Sequence, residues 1–120
     1  MARLMVVDDS KIVYMNMVKL LQDTEFEIVH YCRSGEEAIE VYKEVRPDLV
    51  TMDIIMPGMD GLEASRQILS EFPDARIIMF SSLAYDDTIE EAEKIGAKGF
   101  IYKPFEKEKV LCRLREVIKG

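Results

Sequence analysis

At 120 residues, with 48% apolar and 32% charged side chains, the chain is expected to fold as one domain with a single core rather than remain disordered. Its formal net charge of −7, with no visible basic patch, argues against nucleic acid as a direct partner. No apolar run has the length of a membrane span or a signal peptide, so we expect a cytoplasmic protein with no membrane partner.

Cysteine and histidine contribute little to the predicted chemistry. Cys32 and Cys112 lie far apart, with no CxxC pair and no histidine–cysteine cluster expected nearby, so neither a zinc site nor a disulfide framework is predicted. We expect both to be buried or half-buried small hydrophobes. His30, the only histidine, lies in a strand-like run and is expected to be an ordinary strand residue rather than a catalytic base.

Strand and helix patterns alternate along the chain. Short apolar runs bounded by turn residues predict strands, and apolar residues repeating every three or four positions predict helices. In chain order these are strand 3–7, helix 12–21, strand 26–31, helix 35–46, strand 48–52, helix 61–72, strand 75–80, helix 86–96, strand 98–102 and helix 107–119. Ser34 with Glu37 forms a capping box, and Gly96 ends the fourth helix.

The alternation predicts a parallel sheet. Strands joined through helices run in the same direction, and strands that are apolar on both faces need helices on both sides. The expected fold is therefore a doubly wound α/β fold with five parallel strands and five helices. The residues that follow the strands then share one edge, which is where open α/β sheets bind ligands.

Four of the five strands are followed at this edge by a polar or charged side chain. They are Asp8 and Asp9 after the first strand, Asp53 after the third, Ser81 after the fourth and Lys103 after the fifth. Each has an ordinary explanation, because acids and serines cap helices and lysines are usually solvated. Taken together, the ordinary explanation needs four coincidences at one edge.

The three acids predict a metal site. If the strand order is 2-1-3-4-5, the first and third strands are neighbours, and the three carboxylates converge and repel one another. Oxygen ligands in a small site favour Mg²⁺. We expect Asp9, Asp53 and the backbone carbonyl of Ile55 to be direct ligands, with Asp8 acting through water.

The same edge predicts phosphoryl chemistry. Mg²⁺ would offset the repulsion that otherwise keeps a phosphoryl group away from Asp53. Lys103 would supply positive charge on the other side of the phosphoryl oxygens, and the Ser81 hydroxyl would donate a hydrogen bond to them. Phosphoryl transfer depends mainly on alignment and charge neutralisation, so we expect Asp53 to be the acceptor.

These residues resemble the receiver domain of two-component response regulators, the CheY-like family, along residues 4–118. The matching motifs are the acid pair in VVDDS, Asp53 in TMDIIMPGMDG, Ser81 after IIMF, and Lys103-Pro104-Phe105 in GFIYKPF. The resemblance implies one receiver domain over residues 1–120 with a flavodoxin-like fold of strand order 2-1-3-4-5.

The resemblance also implies partners and a switch. A sensor histidine kinase would donate the phosphoryl group, and the domain would catalyse only its own phosphorylation and dephosphorylation. The bond before Pro104 is expected to be cis. Ser81 and Phe100 would move together and change the surface of the fourth helix, fifth strand and fifth helix for a downstream target or output domain. A monomer or a weak phosphorylation-linked dimer is expected, acting alone or as part of a longer protein.

Three residues depart from the commonest family pattern. Serine stands at position 81 where threonine is commoner, and phenylalanine stands at position 100 where tyrosine is often seen. Ile55 is apolar where many relatives carry a polar residue, and it would flank the water that attacks the acyl phosphate. The rate of autodephosphorylation is therefore not predicted.

Three alternatives remain at this stage. A haloacid dehalogenase-type enzyme also uses an aspartate and Mg²⁺, but its nucleophile follows the first strand in a DxD pattern, which Asp8-Asp9-Ser10 does not match. A flavin carrier would need a phosphate-binding loop after the first strand, where the acids would repel phosphate. A binding module with this fold and no phosphorylation is the third alternative.

Overall fold

The structure is a computed structural model that describes residues 1–82 and 86–120. The elements are β1 (Ala2–Val7), α1 (Lys11–Leu20), β2 (Phe26–Cys32), α2 (Gly35–Val45), β3 (Leu49–Asp53), α3 (Gly61–Glu71), β4 (Ile77–Ser81), α4 (Asp86–Ile95), β5 (Gly99–Tyr102) and α5 (Lys107–Lys119). Every predicted strand and helix is present in the predicted order. No helix within the described ranges has both the length and the apolar character to cross a membrane.

The strands form one parallel sheet in the order β2-β1-β3-β4-β5, which confirms the predicted topology. Val7 at the end of β1 is in register with Met52, one residue before Asp53. Ser81 at the end of β4 is in register with Tyr102, one residue before Lys103. The register therefore brings the functional positions to the same edge.

A separate apolar core lies on each face of the sheet. Alternate residues of β1 point to opposite faces, so Met5 belongs to one core and Leu4 to the other. The first core packs under α2, α3 and α4, and the second packs under α1 and α5. Each fully buried large side chain stabilises the fold by roughly 1.5–3 kcal/mol. Both faces being covered explains why β3 and β4 are buried along their whole length.

Several boundaries differ from the sequence prediction. β3 extends to Asp53 and β4 to Ser81, because ladder pairing uses the backbone and continues past the apolar run. β4 begins at Ile77 instead of residue 75, since the Ala75 amide donates to the Phe72 carbonyl at 3.0 Å and closes a turn after α3. These shifts leave the order and direction of the elements unchanged.

One expectation about the cysteines is wrong. Cys32 is buried, as expected, but Cys112 on α5 is exposed. The helix buries the stripe formed by Val110, Leu111 and Leu114, and position 112 lies off that stripe. The two cysteines are therefore in different environments.

Candidate functional site

Three carboxylates converge where β1 and β3 lie side by side. Oxygen atoms of Asp8, Asp9 and Asp53 all lie within 4.8 Å of one another. Asp8 is 1% exposed and Asp53 is 6% exposed, whereas Asp9 faces solvent. The Ser10 amide donates to Asp8 Oδ1 at 2.8 Å, which holds that carboxylate at the start of α1. The predicted acidic group is therefore formed by the fold.

Lys103 lies among these acids. Its Nζ donates to Asp8 Oδ2 at 2.8 Å and to Asp53 Oδ1 at 3.2 Å. The Lys103 amide also donates to the Ser81 carbonyl at 2.9 Å, and the bond between Lys103 and Pro104 is cis, as the resemblance implies. One ammonium group thus partly balances two buried carboxylates, which would otherwise be costly.

Burial controls the acid strength of Asp53. Loss of hydration, reinforced by the charge of Asp8, raises the pKa of Asp53 to about 6, although Lys103 acts in the opposite direction. Burial lowers the pKa of Lys103, but its hydrogen bond to Asp8 and the charges of both acids outweigh this and raise it overall. At neutral pH the site therefore holds an ammonium group beside an ionised, poorly solvated carboxylate.

The start of α3 packs against the backbone at the end of β3 and so helps to position Asp53. The Gly61 amide donates to the Ile54 carbonyl at 2.7 Å, so the start of α3 packs directly on the end of β3. A Cβ at Gly61 would lie 1.9 Å from the Asp53 carbonyl oxygen, a distance that no side chain can adopt. Gly61 was not among the predicted site residues, although its place in the MPGMDG turn was an available signal.

The predicted switch residues lie on neighbouring strands. Ser81 is 2% exposed at the end of β4. Phe100 lies on β5, where it pairs with Met79 of β4. It is half-buried and packs against the core, and its ring centroid lies 5.2 Å from that of Tyr102. Ile55, the predicted carbonyl ligand, has a side chain that is 60% exposed. Its role as a ligand and the switch remain predictions.

A second group of possible metal ligands lies away from these acids. It consists of His30, Cys32 and Glu37, whose ligand atoms also lie within 4.8 Å of one another. The expectation that no histidine–cysteine cluster lies near the cysteines is therefore wrong, because no CxxC pair marks a group whose members come from a strand and a helix. The available signals were the alternation that puts His30 and Cys32 on one face of β2 and the capping box that holds Glu37.

Fold and site together define a class of protein: a doubly wound α/β domain whose strand switch point holds an acid cluster bridged by lysine. The sequence model of the response regulator receiver domain matches residues 4–115. The chain is 42% identical over 119 residues to the chemotaxis protein CheY of Listeria monocytogenes, covering 99% of this chain and 100% of that protein. It is 43% identical over 116 residues to CheY of Bacillus subtilis, covering 97% of each.

The structural comparison agrees. A chain in the crystal structure of the CheX-CheY-BeF3-Mg²⁺ complex from Borrelia burgdorferi matches with a TM-score of 0.93 and 35% identity, covering 97% of this chain and 88% of that chain. The protein therefore belongs to the receiver domain family of two-component response regulators and is CheY-like. It is a regulatory domain rather than a classical enzyme, which sets aside the dehalogenase and flavin-carrier alternatives.

Proposed function

We propose that residues 1–120 form one receiver domain in which Asp53 accepts a phosphoryl group from the phosphohistidine of a sensor histidine kinase. The observation that carries this proposal is the environment of Asp53, a buried carboxylate hydrogen-bonded to Lys103 and close to Asp8 and Asp9. This environment can balance the charge of a phosphoryl group, which is the main requirement of phosphoryl transfer.

The donor set fits Mg²⁺. It offers carboxylate oxygens only, in a cluster small enough for one ion, and hard cations prefer such ligands. Asp9, Asp53 and the backbone carbonyl of Ile55 would hold the ion directly, with Asp8 acting through water. Bound Mg²⁺ supplies positive charge that offsets the carboxylates and the phosphoryl oxygens. The Borrelia burgdorferi complex, which includes Mg²⁺, supports this assignment.

The protein's own groups carry the transfer. A carboxylate oxygen of Asp53 attacks phosphorus, the O–P bond forms, and the P–N bond of the phosphohistidine breaks as imidazole leaves. The Lys103 ammonium and the Ser81 hydroxyl donate to the phosphoryl oxygens as negative charge moves onto them. Water later attacks phosphorus, which releases inorganic phosphate and restores the carboxylate. The domain thus catalyses only its own phosphorylation and its own reset.

Phosphorylation of Asp53 changes the protein surface that a downstream partner contacts. Ser81 moves towards the phosphoryl group, and Phe100 turns inward to fill the space, since packed interiors do not leave voids. The surface formed by α4, β5 and α5 then changes for a downstream target protein or output domain. The domain acts in the cytoplasm as a monomer or weak phosphorylation-linked dimer, without direct contact to nucleic acid, which its net charge of −7 would repel.

Intact mass tests the proposal. Wild-type protein incubated with Mg²⁺ and a small acyl phosphate should gain one phosphoryl group, and chelation of Mg²⁺ should abolish the gain. Asp53→Asn should gain nothing, whereas Asp60→Asn, which changes an acid in the same loop, should be labelled like wild type. Labelling of Asp53→Asn would place the acceptor elsewhere. Metal binding without labelling of any variant would favour a binding module with no phosphorylation.

A further inference from the structure

The edge of the sheet at β2 holds the mixed ligand group of His30, Cys32 and Glu37. His30 and Cys32 are two residues apart, so their side chains leave the same face of the strand. Cys32 belongs to the core beneath α2, and Glu37 is in the first turn of that helix. A ring nitrogen, a thiol sulfur and a carboxylate oxygen thus lie within 4.8 Å of one another.

The carboxylate is held in place without using all of its oxygens. The Arg33 amide donates to Glu37 Oε1 at 3.0 Å, and the Glu37 amide donates to Ser34 Oγ at 3.1 Å. This pair of bonds fixes the first turn of α2 over the end of β2. The second carboxylate oxygen, Oε2, has no hydrogen bond to another described residue and can act as a ligand. Hydrogen-bonded carboxylates are the usual ligands of metal sites, because the bond fixes their direction.

The chemistry of the three donors differs from that of the acidic pocket. The pocket around Asp53 offers oxygen only, which suits Mg²⁺, whereas nitrogen, sulfur and oxygen together suit Zn²⁺. A thiolate and a carboxylate carry two negative charges, which one divalent ion neutralises while the imidazole stays neutral. Three protein ligands leave one tetrahedral position for water.

We propose that His30, Cys32 and Glu37 form a binding site for a thiophilic divalent cation of the Zn²⁺ type, separate from the Asp53 site. On binding, the Cys32 thiol loses its proton to solvent and its sulfur bonds to the ion. Because the ligand is the thiolate, uptake of the ion releases a proton. Burial accounts for Cys32, helix capping for Glu37 and an exposed strand position for His30, so the proposal rests on the three ligand atoms lying together.

Cobalt titration separates this site from the acidic pocket. Co²⁺ bound to a thiolate absorbs in the near ultraviolet by charge transfer from sulfur, and Co²⁺ bound only to carboxylates does not. Metal-free Cys112→Ser, which keeps Cys32 and removes the exposed thiol, should develop this absorption with one equivalent of Co²⁺, and Zn²⁺ should abolish it by displacement. The titration should release a proton as the band appears.

Ligand variants in the Cys112→Ser background test each donor. Cys32→Ser should lose the absorption, and His30→Gln and Glu37→Gln should weaken Co²⁺ binding by about tenfold or more, in line with the loss of one ligand. Glutamine preserves the capping box, so Glu37→Gln should remain folded. Glu36→Gln, which removes the same charge from the same helical turn, should bind like the parent.

Three results would overturn the proposal. They are absence of the sulfur band in Cys112→Ser at saturating Co²⁺, its persistence in Cys32→Ser, and unchanged affinity in both His30→Gln and Glu37→Gln. The melting temperature of each metal-free variant, compared with the parent, identifies any loss of fold. Because the readout reports sulfur, its failure is independent of whether Asp53 accepts a phosphoryl group.

Discussion

Asp53 combines two properties that conflict in an isolated side chain. A buried carboxylate avoids ionisation, yet the phosphoryl acceptor that we propose must be ionised. With its pKa raised to about 6, Asp53 is still mainly ionised at pH 7. Lys103 favours the ionised form of Asp53 by donating a hydrogen bond to it at 3.2 Å. The like charge of Asp8 disfavours that form. The site therefore holds an ionised, buried carboxylate at a cost in stability.

That cost predicts a pH-dependent effect of Asp53→Asn in metal-free protein. The pKa of Asp53 is about 6 in the folded protein, against an ordinary value of 3.8 that applies when the chain is unfolded. Between these two pH values the folded state therefore binds more protons than the unfolded state. The loss of stability caused by the buried charge of Asp53 is absent below about pH 4, grows as the pH rises towards 6, and is complete above pH 6. At pH 7 we expect Asp53→Asn to raise the free energy of unfolding by about 2–3 kcal/mol.

Urea unfolding with a chelator at several pH values measures this effect. The increase in the free energy of unfolding caused by Asp53→Asn should shrink towards zero as the pH falls to 4. At that pH the wild-type carboxyl group is neutral, like the amide that replaces it. Asp60→Asn is the control, since that acid is exposed and caps α3. A gain from Asp53→Asn that is the same at pH 4 and pH 7 would show that charge burial is not its cause.

At the scale of elements, the turn between β3 and α3 positions the site. Gly61 lets the first turn of α3 approach the end of β3, and Asp60 caps that helix by accepting from the Glu63 amide at 2.8 Å. The two features together fix where the backbone leaves the sheet after Asp53. In the segment that follows Asp53, Ile54 and Met56 are buried, whereas Ile55 is exposed.

Gly61→Ala should therefore be strongly destabilising. The added methyl group would lie 1.9 Å from the Asp53 carbonyl oxygen, so the backbone must move, and we expect a loss of about 3 kcal/mol or more in the free energy of unfolding. Gly99→Ala is the matched control, because its Cβ would meet the flexible Arg113 side chain at 3.1 Å and Val117 Cγ2 at an ordinary contact distance of 3.5 Å. Chemical denaturation compares the two, and equal losses would contradict the role assigned to Gly61.

The elements show what can be predicted from sequence and what cannot. Strand and helix order follows from apolar periodicity, whereas the acid cluster also requires β1 to lie beside β3, an order that only the family resemblance implies. The exposure of Cys112 could have been read from the stripe of α5, which passes through Leu111 and Leu114. The approach of Glu37 to Cys32 could not, because it depends on how α2 packs against β2. The positions of donors on different elements require the packed structure.

At the scale of the whole molecule, the parallel sheet offers a route for the proposed switch from the site to a distant surface. β4 carries Ser81 to the site, and it pairs with β5, which carries Phe100 and is followed by Lys103. A shift at the strand ends can therefore reach the face formed by α4, β5 and α5. β2 lies at the opposite edge of the sheet and has no pairing with either strand. The architecture favours a response on one side of the molecule.

This coupling predicts that Ser81→Ala separates phosphorylation from switching. The variant keeps Asp53 and Lys103, so intact mass should still show labelling by an acyl phosphate with Mg²⁺, although more slowly because one donor to the phosphoryl oxygens is lost.

In wild type, labelling should shift the backbone amide NMR signals of α4, β5 and α5 and leave those of β2 and α2 nearly unchanged. In labelled Ser81→Ala the shifts on α4, β5 and α5 should be greatly reduced, because residue 81 has no hydroxyl to bond the phosphoryl group and the position of Phe100 no longer depends on labelling. Ser82→Ala, a change at the neighbouring exposed serine, should respond as wild type does. Full shifts in labelled Ser81→Ala, or shifts spread evenly over β2 and α2, would show that the signal leaves Asp53 by another route.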